Sequence, residues 1–152
     1  MIEYRLADDN DSDRLAELRW QHKAEEESLD LSQKDDFIEL CSASLKTRFK
    51  EDLYCWVAVE NRIIISNIYI VVVKKVPKPE KINGLWGYIT AVYNMPEYRN
   101  KGICSALMGY VKEWSRIKKL ELLIVWPSER SISFYERSGF NDINDVMELS
   151  LE

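Results

Sequence analysis

The chain has 152 residues, 46% of them apolar, and a formal net charge of −5 at pH 7. That length suits one domain spanning residues 1–152, and the apolar content excludes a disordered chain. The acidic balance argues against a nucleic-acid binder, which gains affinity from a basic patch.

Cys41, Cys55 and Cys104 show no C-x-x-C spacing, which speaks against both a disulfide framework and a zinc site. The compartment expected is reducing, hence cytoplasmic. Met1 to Leu6 has no basic, signal-like start. The longest apolar stretch, Ile63 to Val73, is interrupted by Ser66 and Asn67 and is too short to span a bilayer. No membrane partner is expected.

In chain order, Ile2 to Leu6 reads as a first strand. Asp8 to Ser12 offer N-caps for a helix with Leu15, Leu18 and His22 on one face. The run Glu25–Glu27 reads as a solvated helix end. Ser32 can cap a second helix, with Phe37, Leu40, Cys41, Ser44, Leu45 and Arg48 on its packed stripe. The period then changes to that of strands. Tyr54 to Val59 and Ile63 to Val73 form a hairpin about Asn61–Arg62. Lys74 to Lys81, with Pro77 and Pro79, is a loop. Trp86 to Asn94 is a further strand, ended by Pro96.

Gly102 opens a long amphipathic helix with Ile103, Leu107, Tyr110, Val111, Trp114 and Ile117 as its stripe. Leu120 to Trp126 is a continuous apolar strand, ended by Pro127. Ser131 to Ser138 is a short helix with Gly139 at its C′ position. Val146 to Leu151 reads as the last strand. The order is β-α-α-β-β-β-α-β-α-β.

The segment Tyr98-Arg99-Asn100-Lys101-Gly102-Ile103-Cys104-Ser105 carries the chemistry. A strand ends, a loop follows and a helix begins. The first N–H groups of a helix lack internal partners and the helix dipole is positive there, so anions bind well. Gly102 permits close approach, and Arg99 and Lys101 add positive charge. The bland alternative is an ordinary glycine-bearing turn. Gly-Lys-Ser/Thr is absent, so the loop is not a Walker A motif.

This segment resembles the pyrophosphate loop of the GNAT N-acetyltransferases, Gln/Arg-x-x-Gly-x-Gly/Ala, with Arg99, Gly102 and Cys104 at the defined positions. Cys104 departs from the small residue usual there. A second segment, Ser128 to Phe140, resembles the family's Asn-x-x-Ala-x-x-Phe/Leu-Tyr-x-x-x-Gly-Phe. Phe134-Tyr135 and Gly139-Phe140 match, while Ser128 and Ser131 replace Asn and Ala.

The resemblance implies a mixed α/β fold. A mostly antiparallel twisted central sheet is flanked by about four helices, and one parallel strand pair splays apart. It implies acetyl-coenzyme A as the acyl donor, held by Arg99, Asn100, Lys101, Gly102, Ile103, Cys104 and Ser105 at the diphosphate. Val92, Tyr93 and Asn94 would face the pantetheine arm, and Ser128 and Tyr135 would complete the site. It implies direct transfer to the amine of a small molecule or peptide, with the Asn94 N–H polarising the thioester carbonyl. Tyr135 would be the catalytic residue, its hydroxyl protonating the leaving thiolate or only hydrogen-bonding to it; the bland alternative is a packed aromatic on a short helix. No metal is implied, and a homodimer is allowed without being required.

The strand before the loop, Trp86 to Asn94, has no acid to serve as general base. A base would be water held by backbone and hydroxyl groups, or a carboxylate from elsewhere, for which Glu25, Glu26 and Glu27 are candidates by location; His22 reads as structural. Cys104, near a helix N-terminus and two cations, is expected to have a lowered thiol pKa. The missing strand acid keeps a non-catalytic acyl-coenzyme A sensor, or an interaction module on the same scaffold, as rival readings.

Overall fold

The structure, a computed structural model, describes residues 1–152. Five strands form one sheet in the order β1-β2-β3-β4-β5: Glu3–Leu6, Leu53–Glu60, Ile63–Lys74, Leu85–Asn94 and Leu123–Val125. The first four pair antiparallel, and β5 pairs parallel with β4. Four α-helices complete the fold: α1 (Ser12–Glu26), α2 (Lys34–Arg48), α3 (Ile103–Ile117) and α4 (Ile132–Arg137). The mixed fold with a mostly antiparallel sheet is as the sequence implies.

Alternation along the strands divides the core into two layers. Cys55, Val57 and Tyr69 pack with Leu15 and Leu18 of α1 and Leu45 of α2 on one face. Ile68, Ile70 and Ile89 pack with Leu107, Met108, Val111 and Trp114 of α3 and Tyr135 of α4 on the other. The β2–β3 turn places Asn61 and Arg62 at φ of 50° and 66°. Two consecutive positive φ values are what a type I′ hairpin turn requires.

Four expectations are corrected. Val146 to Leu151 joins no ladder, and Met147, Leu149 and Leu151 are 96%, 82% and 90% exposed. An alternating pattern makes a strand only against a partner edge, and these residues pair with none. The strand expected over Leu120–Trp126 contracts to Leu123–Val125, because only Gly87, Tyr88 and Ile89 lie opposite it. Ser32 does not cap α2: the N-cap position is Gln33, with no side-chain cap, and Asp30 instead caps the short 3-10 turn Leu31–Gln33 before it by accepting from the Ser32 N–H. The α2 stripe is also rotated. Leu45 and Ser42 are buried, Ser42 donating to Asp13 at 2.5 Å, whereas Leu40 is 72% exposed.

Candidate active site

The β4–β5 pair opens into a gap for two reasons. A bulge puts Thr90 out of register: Tyr69 pairs with Ala91 but Ile70 pairs with Ile89. A bulge bends its strand and increases local twist. The parallel ladder ends just there, at Ile89 opposite Val125. At the closed end, Gly87 lets the strands touch. A Cβ there would lie 2.6 Å from Leu123 Cδ2 and 3.2 Å from Ile70 Cγ2.

Backbone direction follows from the register. The Met95 N–H donates to the Ile65 carbonyl at 2.9 Å, and Asn94 stands opposite Ser66. Residues in an antiparallel ladder alternate in bonding direction. Val92 and Asn94 therefore turn their backbone N–H and C=O away from β3 and into the gap. Arg99 Nε accordingly donates to the Asn94 carbonyl at 3.0 Å. Tyr93 points its ring to the opposite face from Val92, among α1 side chains.

Past the gap, a 3-10 turn at Pro96–Tyr98 leads to the loop. Asn100 and Gly102 take φ of 61° and 78°. A Cβ on Gly102 would meet nothing within 4 Å, so this glycine answers to its backbone angle, not to crowding. No side chain caps α3, and its first intrahelical bond runs from Ala106 N–H to Gly102 C=O. The N–H groups of Ile103, Cys104 and Ser105 therefore have no intrahelical acceptor. Uncapped donors, the helix dipole and an open glycine face fit a diphosphate.

A cleft of about 990 Å³ joins these parts. Val92, Tyr93, Asn94, Arg99, Asn100, Gly102, Ile103, Cys104, Ser105, Ser128 and Tyr135 all line it; Lys101 does not and instead lies over the Tyr98 ring at 5.6 Å. Tyr135, only 7% exposed, packs edge-on against Phe134 and Phe140. Burial, with Cys104 nearby, pushes its hydroxyl up to about 12, so it stays protonated and able to donate at neutral pH. Ser128 starts the turn into α4, where Ser131 Oγ donates to its carbonyl at 2.9 Å.

Cys104 departs from expectation. Its Sγ lies 3.4 Å from the buried Ser66 Oγ. Desolvation raises the thiol pKa above its ordinary value and outweighs the opposing Ser66 hydrogen bond and the Arg99 charge. The lowered value expected from the helix N-terminus is overturned by burial.

The wall of the cleft on the α1 side holds a cluster that spacing does not reveal. Glu25, at the end of α1, accepts from the Tyr93 hydroxyl and from Arg99 Nη2, the latter at 2.6 Å. His22 stacks on the Tyr93 ring with centroids 4.9 Å apart. Burial alone would raise the Glu25 pKa, but the hydrogen bonds from Tyr93 and Arg99 hold it below its ordinary value. Desolvation, then the Arg19 charge, lowers His22, leaving it neutral at pH 7. Glu25 lies 68 residues from Tyr93 and 74 from Arg99, so no local pattern could have joined them. Glu26 also lines the cleft, but Glu27 pairs with Lys23 outside it. No group of three His, Cys, Asp or Glu side chains is placed to hold a metal ion. No helix is long and apolar enough to cross a membrane.

A profile of the acetyltransferase (GNAT) family matches residues 12–140. The chain belongs to that family. No curated protein matches the sequence. Among solved structures, an acetyltransferase from Trypanosoma brucei is 25% identical with a TM-score of 0.75, over 99% of this chain and 100% of that one. A predicted acetyltransferase from Clostridium acetobutylicum, solved with acetyl-CoA, is 24% identical with a TM-score of 0.74, over 99% and 97%. An aminoglycoside acetyltransferase from an uncultured soil metagenomic sample, solved with sisomicin, is 13% identical with a TM-score of 0.73, over 99% and 95%.

Proposed function

We propose that this protein is an N-acetyltransferase that moves the acetyl group of acetyl-coenzyme A directly to an amine. The observation that carries the reading is the splayed β4–β5 gap, into which Val92 and Asn94 turn backbone groups that β3 does not use, opening beside the uncapped start of α3. The diphosphate is held by the N–H groups of Ile103, Cys104 and Ser105, with Gly102 leaving room. Asn100 and Ser128 border the donor's path, and Lys101 adds positive charge near the loop without reaching into the cleft. The pantetheine arm pairs with the strand edge at Val92 and Asn94, above Tyr93. Acetyl-coenzyme A bound in that way supplies an activated thioester.

Two groups of this chain act on it. The Asn94 N–H polarises the thioester carbonyl, a preorganised dipole aimed where negative charge develops. Tyr135, protonated at neutral pH, gives its proton to the departing sulfur. The amine attacks in its neutral form without a covalent enzyme intermediate: the C–N bond forms, the C–S bond breaks, and the proton lost by the nitrogen passes through water to restore Tyr135, so positioning contributes most of the rate. The acceptor enters along His22, Glu25 and Glu26, an acidic wall suited to a cation. The sisomicin-bound neighbour is consistent with a cationic amine but does not name this chain's acceptor.

The test is coenzyme A thiol release from acetyl-coenzyme A across a panel of small amines and amino-terminal peptides. Acceptor-dependent release is expected. Tight coenzyme A binding with no release beyond hydrolysis would favour the sensor reading instead.

A further inference from the structure

We propose that Arg99 is an internal substitute for the acceptor's ammonium, and that it leaves Glu25 when diphosphate reaches the loop. The acceptor site then opens only on donor-loaded protein. The inference rests on the function proposed above and deepens it, by assigning the cation site and the order of binding.

A carboxylate beside an aromatic face is a site for an organic cation. Glu25 and Tyr93 make such a site. The cation in it is the Arg99 guanidinium, with Nη2 2.6 Å from Glu25 and its central carbon 5.7 Å from the Tyr93 ring centroid. This arginine comes from the diphosphate loop itself, three residues before Gly102. Its side chain is 44% exposed, so it can swing without disturbing the core. It also covers the gap, because its Nε occupies the Asn94 carbonyl.

One movement therefore has three results. As negative charge arrives at the start of α3, the guanidinium turns towards it. The Asn94 carbonyl becomes free for the pantetheine arm. Glu25 and Tyr93 lose their cation, and an acceptor ammonium can replace it. His22, stacked on Tyr93 with its Nε2 3.4 Å from Glu26, supports the ring without pairing with Glu25. In the empty protein the same pair holds the acceptor site shut, which prevents an amine from binding before there is an acyl group to receive.

Calorimetric titration of the full chain with coenzyme A tests this through a double-mutant cycle of Glu25→Gln and Arg99→Met. Glu25→Gln should tighten binding about three- to fivefold, the scale of a partly exposed ion pair that no longer competes for Arg99. In the Arg99→Met background the same change should give no gain. Glu27→Gln, which removes an equal charge away from the cleft, should leave affinity unchanged. An equal gain in both backgrounds would mean that only net charge matters, and would overturn the proposal, as would no gain at all. If parental protein does not bind coenzyme A, the function proposed above falls as well; binding without coupling removes this inference alone. Melting curves verify that each variant folds, and Glu25→Ala, read the same way, replaces any Glu25→Gln protein that does not.

Discussion

The two walls of the cleft are built differently. The donor wall is local: a bulged strand end, a turn, a glycine at positive φ and an uncapped helix follow one another from Thr90 to Ser105. Its working groups are mostly backbone N–H and C=O. The acceptor wall is made of side chains brought together from distant segments, Glu25 and His22 on α1 against Tyr93 and Arg99. Backbone groups at a strand end tolerate almost any side chain. A side-chain cluster changes with a single substitution. On the proposed function, the donor wall can therefore stay constant while the acceptor wall sets what is acylated.

The largest expected effect falls on the donor wall. Gly102→Glu places bulk, strain and negative charge where three free N–H groups converge. Coenzyme A affinity should fall by more than about tenfold through bulk and like charge at the anion site, while the αL strain, roughly 1–2 kcal/mol, falls on stability. Unchanged calorimetric affinity in a folded variant would end the comparison, because the donor wall would then lie elsewhere.

Tyr135→Phe comes next. Turnover should drop about 10²-fold with coenzyme A affinity almost constant, since leaving-group protonation matters in the transition state. Steady-state rates with a responsive acceptor give the answer, and parental turnover would reduce Tyr135 to packing.

Gly87→Val examines the closed end of the gap. The added atoms meet Leu123 and Ile70 at less than ordinary contact distance. Overpacking of this kind costs about 1–3 kcal/mol, measurable as a lower urea midpoint.

Acid should act on the acceptor wall. The His22 pKa is lower folded than unfolded, so the unfolded chain binds more protons as pH falls through about 6.5, and stability is lost. The depressed Glu25 and Asp11 carboxyls act in the same direction at lower pH: their contribution, present above the unfolded carboxylate value, disappears towards the folded one. Melting temperature followed from pH 7.5 to 4 should therefore fall, and His22→Gln should flatten the first part of the curve.

The smallest effect is expected at Cys104. Cys104→Ala should retain full activity, and the parental thiol should alkylate slowly because burial disfavours the thiolate. Coenzyme A should slow it further, while Cys41 is indifferent.

Legibility in the sequence follows the same division. Gly102 and Gly139 are legible because a helix start and a helix end need glycine at fixed offsets, whereas Phe134-Tyr135 and Phe140 are legible only through their resemblance to the family's segment. The central strands are legible for a similar reason: alternation and β-branching report the sheet directly. Glu25 looked like part of a solvated charge run, since its partners are supplied by the fold and not by its neighbours. Cys104 misled because its neighbours in sequence are cations, whereas its environment in space is set by Ser66 and burial. Val146 to Leu151 misled because alternation says which way side chains would face but not whether a partner edge is available.

Mechanically, β5 is a cantilever. Its root is clamped: Glu121 takes Lys81 at 2.8 Å and Lys75 at 3.1 Å, and its N–H donates to the Leu85 carbonyl at 2.8 Å. Its tip at Val125 has no ladder bond beyond Ile89. Moving Val125 itself must break its pairing with Ile89, whereas the chain beyond it can shift without losing a sheet hydrogen bond. The ion-paired root, against the β3–β4 connection and far from any reacting atom, therefore anchors the apex of the gap and leaves its mouth free.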